Sequence, residues 1–421
     1  MDQTQQDREA MTIVARFEQW VKQLQQQVAD LRDEPALRAI EQQVRSEGQA
    51  LLGRLFETLL QQALACHEPA TRACPHCRIR RRHKGRRPRR LLSSLGGLKV
   101  ESVYWQCPAC GMGEHALDRW ASQSLSPLLV QLLSFTAAST TSFARAEQAT
   151  ARLVGVPVPE QTLRRVALQE GQRLMREPAT PASADASLSQ PASNDLAVGS
   201  CDGTMVHTRQ SGWREIKACR FERGEQAAAA ATLGRVEAFE DLLTQTAEQV
   251  NWSEASQQVF VSDAAVWIKK LVGRRLPEAQ HIADLWHVCQ HLHETGKRLY
   301  GEGHPRARRW GRYWGKRLRS LGGAAVADRL RHIALFYRKL EHQRAVLKLA
   351  RFLSRHADRL AYPQYEAHDW PISSGPMESY CKQLGLRLKG RGMRWSEHNV
   401  TPMATLVTWW SPPTPGKARA A

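Results

Sequence analysis

The feature that most constrains the fold is a pair of Cys-x-x-Cys motifs on either side of the stretch 78–106. Two such motifs can present four thiolates to one zinc ion in tetrahedral geometry, and Gly111 follows the second motif as in a zinc knuckle. The polar, acidic N-terminus shows no secretory signal, so reduced thiols are expected rather than disulfides. The alternative is four buried thiols without a metal. We predict a structural zinc ribbon over residues 67–118, with the ligands Cys74, Cys77, Cys107 and Cys110.

The charge of the chain favours a polyanionic partner. Sixty Lys and Arg stand against 41 Asp and Glu, a formal charge of +19, and nucleic acid is the first candidate for such an excess. A basic tract lies between the two Cys motifs, where a zinc-held scaffold would project it toward phosphates; a solvated charge run is the alternative. The predicted DNA contacts in this tract are Arg80, Arg81, Arg82, Lys84, Arg86 and Arg87.

Two parts of the chain before residue 177 show helical periodicity. Residues 1–66 carry apolar side chains at helical spacing and predict a helical arm. Residues 119–176 contain two helical stretches around a Pro-containing turn, an order typical of a helix-turn-helix. Ordinary helix packing is the alternative for this pair. We expect Arg164 and Arg165 to contact DNA.

A composition change marks the main domain boundary. Residues 177–195 are rich in Pro, Ala and Ser and predict a flexible linker. Strand-like stretches then give way to a helix, so residues 196–410 are predicted to form an α/β domain. A basic, aromatic stretch of helical period predicts a helical insertion at about 298–362, and residues 411–421 are expected to form a disordered tail.

Three carboxylates stand where a metal would be useful. Asp202 and Asp263 lie in or at the end of apolar, strand-like runs, where a charge without a partner is costly. Pro376 suits the first turn of a helix and places Glu378 within that turn. Three such side chains can hold two Mg²⁺ ions. A chain with 41 acidic residues offers many trios, so the spacing alone does not decide this site.

Three sequence blocks resemble the signatures of ISKra-type bacterial insertion-sequence transposases, which are related to Mutator-like DDE transposases. The blocks are CDGTMV, then VSDAAVWI followed by ADLWHVCQHLHE, and SGPMESYCKQLGLRLKGRGMRWS. The resemblance implies a ribonuclease-H-like fold in which Asp202, Asp263 and Glu378 bind metal. Asp284 and His287 match the family's D-x-x-H element, which is thought to support the site or engage DNA. Asp284 is also the alternative metal ligand, in which case Asp263 becomes doubtful.

The last block carries a basic segment that could grip DNA near the cut. It combines charge with Gly and one aromatic side chain, as expected for holding phosphates and stacking a base; a solvated helix end is the alternative. The predicted contacts there are Arg387, Lys389, Arg391, Arg394 and Trp395. The insertion, with basic and aromatic residues at 306–317, is a second candidate DNA-binding surface, although its tryptophans could instead be core residues.

The resemblance implies a DNA transposase that cleaves and joins DNA at the terminal inverted repeats of its element, using Mg²⁺ or Mn²⁺. We expect a homo-oligomer on double-stranded end and target DNA. No run of about 18 apolar residues occurs, so a cytoplasmic protein without membrane contact is expected. The resemblance implies that it is bacterial and associated with the nucleoid. The alternatives are a catalytically inactive repressor derived from a transposase and a nuclease without strand transfer.

Overall fold

The computed structural model describes residues 3–28, 31–66, 73–121, 124–176 and 195–414. The predicted linker lies outside these ranges except for Asp195, and so does the predicted tail after residue 414. The chain divides into two units, residues 1–167 and 168–421. Within the described ranges, no helix is both long and apolar enough to cross a bilayer.

The first unit begins with two helices, α1 (Gln3–Val28) and α2 (Glu34–Cys66), which together make the predicted helical arm. A hydrogen bond links the two helices: the Trp20 indole of α1 donates to Glu47 of α2 at 2.6 Å. A Cβ on Gly48 would lie 3.2 Å from the same indole ring, so a small residue permits this approach.

A three-stranded antiparallel sheet follows, in the order β1 (Arg82–Ser93), β2 (Gly96–Gln106) and β3 (Gly113–His115). The basic tract between the Cys motifs therefore lies largely in the strand β1. Together β1 and β2 form a hairpin that accounts for the length of chain between the two knuckles. Gly96 has φ 110° at the turn between β1 and β2, a conformation that favours glycine. Leu64 of α2 packs with Leu98 and Val100 of β2 in one buried cluster, so α2 covers the sheet.

Three further helices complete the helical region, α3 (Pro127–Ser139), α4 (Phe143–Leu153) and α5 (Glu160–Arg176). Ser126 and Ser142 begin α3 and α4 by accepting backbone hydrogen bonds from Leu129 and Arg145, which is the usual role of serine at this position. The helix, turn, helix order expected from the sequence is present in α4 and α5.

The boundary between the units falls inside α5 rather than in the predicted linker. The second half of α5 belongs to the second unit because it packs on the last helix of that unit. A Cβ on Gly171 would lie only 2.1 Å from the carbonyl oxygen of Pro402.

The second unit contains a five-stranded mixed sheet. Its strands are β4 (Leu196–Thr208), β5 (Gly212–Arg223), β6 (Gln226–Thr232), β7 (Gln257–Ser262) and β8 (Gln280–Ala283). Their order is β6-β5-β4-β7-β8, with β4, β5 and β6 antiparallel and β7 and β8 parallel to β4. The parallel strands are reached through α6 (Val236–Glu248) and α7 (Val266–Arg275), as parallel pairing requires.

Helices α8 to α13 follow the sheet: α8 (Leu285–Tyr300), α9 (Pro305–Ala334), α10 (Leu340–Arg355), α11 (Tyr362–Ala367), α12 (Gly375–Leu388) and α13 (Glu397–Trp410). Helices α8 to α11 share one apolar core with β7 and β8. Trp310 and Trp314 of α9 lie in this core; these two aromatics therefore pack inside rather than face a ligand. Helix α12 packs on β4, and α13 packs on β6.

Candidate active site and metal centre

The four predicted zinc ligands lie together. Their sulfur atoms are all within 4.8 Å of one another, with 3.6 Å between Cys74 and Cys110 and 3.3 Å between Cys77 and Cys107. This cluster could bind a structural metal such as zinc, for which four thiolates are a common ligand set. Sequence reasoning predicted all four ligands.

The first cysteine of each knuckle is biased toward the thiolate form that a metal needs. The backbone amide of Cys77 lowers the pKa of Cys74 to about 6, and the amide of Cys110 lowers the pKa of Cys107. Hydrogen bonds with the sulfurs of Cys107 and Cys110 raise the pKa of Cys77 to about 12, because they favour the protonated thiol. A divalent cation at the centre would instead favour the thiolate form of its ligands.

Most of the predicted contacts in the basic tract are on the surface, and one is not. Arg81 is only 6% exposed and forms an ion pair with Glu114 of β3. The prediction that Arg81 contacts DNA is therefore wrong, because a buried, paired guanidinium is not available to a phosphate. Arg87 lies over the ring of Tyr104, with 4.2 Å from Cζ to the ring centroid. The exposed residues of the predicted set are Arg80, Arg82, Lys84, Arg86 and Arg87, and on α5 Arg165 is exposed and Arg164 half-buried.

Asp202 and Asp263 are neighbours at the sheet. Strands β4 and β7 are parallel, and Cys201 pairs with Ser262 at the last position of their shared register. The next residues are Asp202, still on β4, and Asp263, directly after the end of β7. Asp202 accepts a 2.7 Å hydrogen bond from the amide of Gly203, and Asp263 accepts one of 2.6 Å from the amide of Ala265.

The environment of Asp202 opposes its ionisation. Burial raises the pKa of the Asp202 carboxyl, and the negative charge of Asp263 adds to that rise. The amide of Gly203, the His287 imidazole and a hydrogen bond from the Cys381 thiol act in the other direction. The Asp202 side chain is thus half-buried beside a second acid, a position that a cation would stabilise.

Asp284 is fully buried, and protein donors occupy both of its carboxylate oxygens. Oδ1 accepts hydrogen bonds from the amides of Trp286 (2.7 Å) and His287 (3.1 Å), so Asp284 begins α8 as its N-cap. Oδ2 accepts hydrogen bonds from the amide (2.6 Å) and hydroxyl (2.5 Å) of Ser374. Ser374 directly precedes α12, so the Asp284 carboxylate accepts hydrogen bonds from the starts of both α8 and α12. The His287 Nδ1 atom lies 3.7 Å from Asp284 Oδ1.

Glu378 lies in the first turn of α12, as the sequence predicts. Its side chain is 36% exposed, and Oε2 lies 3.9 Å from the Lys382 ammonium. Cys381, one turn further along α12, lies near Asp202, and burial raises the pKa of this thiol to about 12. Sequence reasoning missed Cys381, although its position three residues after Glu378 puts both on one side of the helix.

The three carboxylates do not form a single tight ligand group. Among the described residues, the four cysteines are the one set of three or more His, Cys, Asp or Glu side chains whose ligand atoms are close enough for one ion. The structure places Asp202 beside Asp263 and places Glu378 on the helix that touches Asp202.

Two predicted DNA contacts in the last block are instead part of the core. Arg387 is 1% exposed and Trp395 is 4% exposed; the guanidinium lies over the indole at 5.2 Å. Burial lowers the pKa of Arg387 to about 10. The prediction that these two residues contact DNA is wrong, because each covers the other inside the domain. The exposed residues of the set are Lys389, Arg391 and Arg394.

No protein-family model matches the chain, and no curated protein sequence matches it. Among solved structures, the chain is similar to a chain of the Drosophila P element transposase strand transfer complex. The TM-score is 0.33 at 8% identity, over 66% of this chain and 90% of that chain. At this TM-score and identity, the similarity carries no argument about fold or function.

Proposed function

We propose that this protein is a DDE-type DNA transposase that cleaves and joins DNA at the ends of an insertion sequence. The observation that carries the proposal is the pair Asp202 and Asp263, which directly follow the last paired residues of the parallel strands β4 and β7 and whose charges interact. Binding sites in sheets with parallel strands commonly form beyond the carboxyl ends of those strands. The sequence blocks that resemble ISKra-type transposases contain both residues.

The strand order supports a ribonuclease-H-like catalytic domain. Three antiparallel strands, β6, β5 and β4, are extended by the parallel strands β7 and β8. The all-helical segment α9 to α11 lies between α8 and α12, that is, before Glu378. A helical insertion in this place is what the resemblance implies for the family.

The carboxylates present suit divalent metal ions. Asp202, Asp263 and Glu378 would hold them, since Mg²⁺ and Mn²⁺ favour carboxylate oxygens, and the raised pKa of Asp202 reflects a charge cost that a cation offsets. When bound, two such ions would activate water or a 3′-hydroxyl and stabilise the leaving oxygen. Gly203 orients the Asp202 carboxylate through its backbone hydrogen bond.

The first unit supports the proposal through its charge. The strand β1 carries exposed cations on a sheet stabilised by the cysteine cluster, a surface suited to a DNA backbone. In the proposed function, this unit binds the terminal inverted repeats and the second unit performs the chemistry, with oligomerisation on paired ends.

The test combines cleavage and binding. Purified protein is incubated with Mg²⁺ or Mn²⁺ and labelled DNA that flanks its own gene. Wild type is compared with Asp202→Asn, Asp263→Asn and Glu378→Gln, and with Asp241→Asn, an exposed acid of α6, as the matched control. We expect wild type and control to cut and join, and the three site variants to bind DNA without doing either.

Other outcomes separate the alternatives. Cutting without joining, abolished by the same three substitutions, would favour a nuclease. Binding of the ends without cutting under either metal would favour a repressor derived from a transposase. Full activity of Asp202→Asn or Asp263→Asn would refute the proposed site.

A further inference from the structure

Helix α10 carries a continuous basic stripe. Every fully exposed side chain between residues 344 and 355 is Arg or Lys, and the four members of this stripe are Arg344, Lys348, Arg351 and Arg355. Their spacing of four, three and four residues places them on one face of the helix. The opposite face is fixed, because Val346, Leu349, Ala350 and Leu353 are buried in the helical core.

Helix stability does not explain this stripe. Like charges three and four residues apart destabilise a helix. Within the described part of the chain, no carboxylate forms an ion pair with any of the four, and Arg351 Nε donates a hydrogen bond to the Leu347 carbonyl of the same helix. By contrast, Lys269, Lys297, Arg319 and Arg331 all form ion pairs. The stripe therefore differs from these four cations, whose charges are offset by neighbouring carboxylates.

One member of the stripe, Lys348, lies near the candidate site. The ring of His291 on α8 packs on Phe352 of α10, with 4.3 Å between centroids. His291 lies within electrostatic reach of both Asp263 and Lys348: burial lowers the pKa of His291, the acid opposes this and the ammonium adds to it. Asp263 and Lys348 of the stripe therefore both lie near one side chain of α8.

The chemistry of the stripe selects its partner. The helix rises 1.5 Å per residue, so the stripe is about 17 Å long, comparable with about five base pairs of one DNA strand at 3.4 Å each. A membrane surface is disfavoured because an interfacial helix needs an accessible apolar face, and the apolar face of α10 is buried. Arginine and lysine without aromatic neighbours on that face suit phosphate contact rather than base reading.

We propose that the α10 basic stripe binds the phosphate backbone of the duplex next to the strand held at Asp202 and Asp263. This inference rests on the proposed function, since it supplies the path of the DNA that the carboxylates would cut. The contact holds the duplex in position and carries no sequence specificity.

The test is the salt dependence of DNA binding. The variant Arg344→Gln/Lys348→Gln/Arg351→Gln/Arg355→Gln is compared with wild type by fluorescence anisotropy on a labelled duplex, without divalent metal. Each phosphate contact contributes about 0.9 to the slope of log K against log salt, so the variant's slope should be shallower by up to about 3.6. The matched control replaces the four ion-paired cations with Gln: Lys269, Lys297, Arg319 and Arg331. Its slope should stay near that of wild type.

The outcomes separate this inference from the proposed function. A stripe variant whose slope equals that of the matched control overturns the stripe, even if wild type cuts DNA. A slope loss confined to the stripe variant, with wild type that never cuts, supports the stripe and counts against the transposase proposal. Equal melting temperatures for the three proteins, measured first, establish that the comparison is between folded chains.

Discussion

Replacing Asp284 with Ala should destabilise the second unit by about 3 to 4 kcal/mol. Asp284 is fully buried and accepts four hydrogen bonds from Trp286, His287 and Ser374. Loss of the N-cap of α8 costs about 1 kcal/mol. Loss of the charged acceptor for the two Ser374 donors adds about 2 to 3 kcal/mol. In a domain of this size the melting temperature should fall by about 6 to 16 °C.

A double-mutant cycle locates that energy. Asp284→Ala, Ser374→Ala and the double variant are unfolded by heat and by urea in the absence of metal. Because the two side chains are in direct contact, their effects should be non-additive by about 1 to 2 kcal/mol. Mn²⁺ affinity is measured on the same proteins, with Asp263→Ala as the comparison.

Two patterns of result are distinguished. If Asp284 positions α8 and α12, its variants lose stability without metal, whereas Asp263→Ala loses Mn²⁺ affinity with little change in stability. If Asp284→Ala leaves the melting temperature of the metal-free protein unchanged and removes Mn²⁺ binding, the positioning argument fails and Asp284 is a ligand.

Three further predictions concern the carboxylate site, the cysteine cluster and the buried arginine. Asp202→Asn should be more stable than wild type at neutral pH without metal, because burial raises the pKa of Asp202 in the folded state. The difference in unfolding free energy should be absent below the unfolded pKa of about 3.9 and should grow as the pH rises through the raised folded pKa. Urea unfolding measures this difference over the pH range, and a variant less stable than wild type at neutral pH would contradict the idea. Cys110→Ser should lower bound zinc below one ion per chain and unfold β1 to β3, while Cys66→Ser, at an exposed cysteine outside the cluster, should retain zinc by elemental analysis. Arg387→Met should leave the salt slope of DNA binding unchanged because Arg387 is buried, whereas Arg391→Gln should reduce it by about 1; equal losses would restore Arg387 as a DNA contact.

Local pattern was enough to predict several strands of the second sheet and the cysteine cluster. Those strands show as apolar runs bounded by turns, whereas the crossover helices α6 and α7 were not predicted. The cysteine cluster was predictable because knuckle spacing is short and encoded within the motif. The placement of Asp202 beside Asp263 required the register of β4 and β7, which pattern suggests but does not specify.

Burial of charged residues was not predictable from local pattern. Arg81 forms an ion pair with Glu114, and the Arg387 guanidinium lies over the Trp395 ring. In each case the partner lies outside the element that carries the arginine. A basic segment rich in Gly has the composition of a DNA-binding loop whether or not one of its arginines packs inward. The stem of an arginine is apolar, so its position on a helix does not distinguish the two outcomes.

The same limit applies to Asp284. Its spacing to His287 marks the start of a helix, since an Asp before an apolar helical run is a common N-cap. Its second oxygen is taken by Ser374, ninety residues later, and that bond depends on the tertiary fold. A D-x-x-H sequence therefore indicates a helix start beside the site without deciding whether the acid binds metal.

The sheet explains how acids can be tolerated at this site. Strand β4 continues beyond the end of β7. Asp202 therefore lies just past the last residue of β4 that pairs with β7, next to the point where the chain leaves β7 at Asp263. Helix α8 begins directly after β8, and α12 begins at Ser374. Helix N-termini carry partial positive charge that stabilises nearby carboxylates. Burial nevertheless dominates at Asp202, whose pKa remains raised. The helix starts therefore reduce the cost of clustering acids here without removing it, and the remaining cost is what a bound divalent cation would offset.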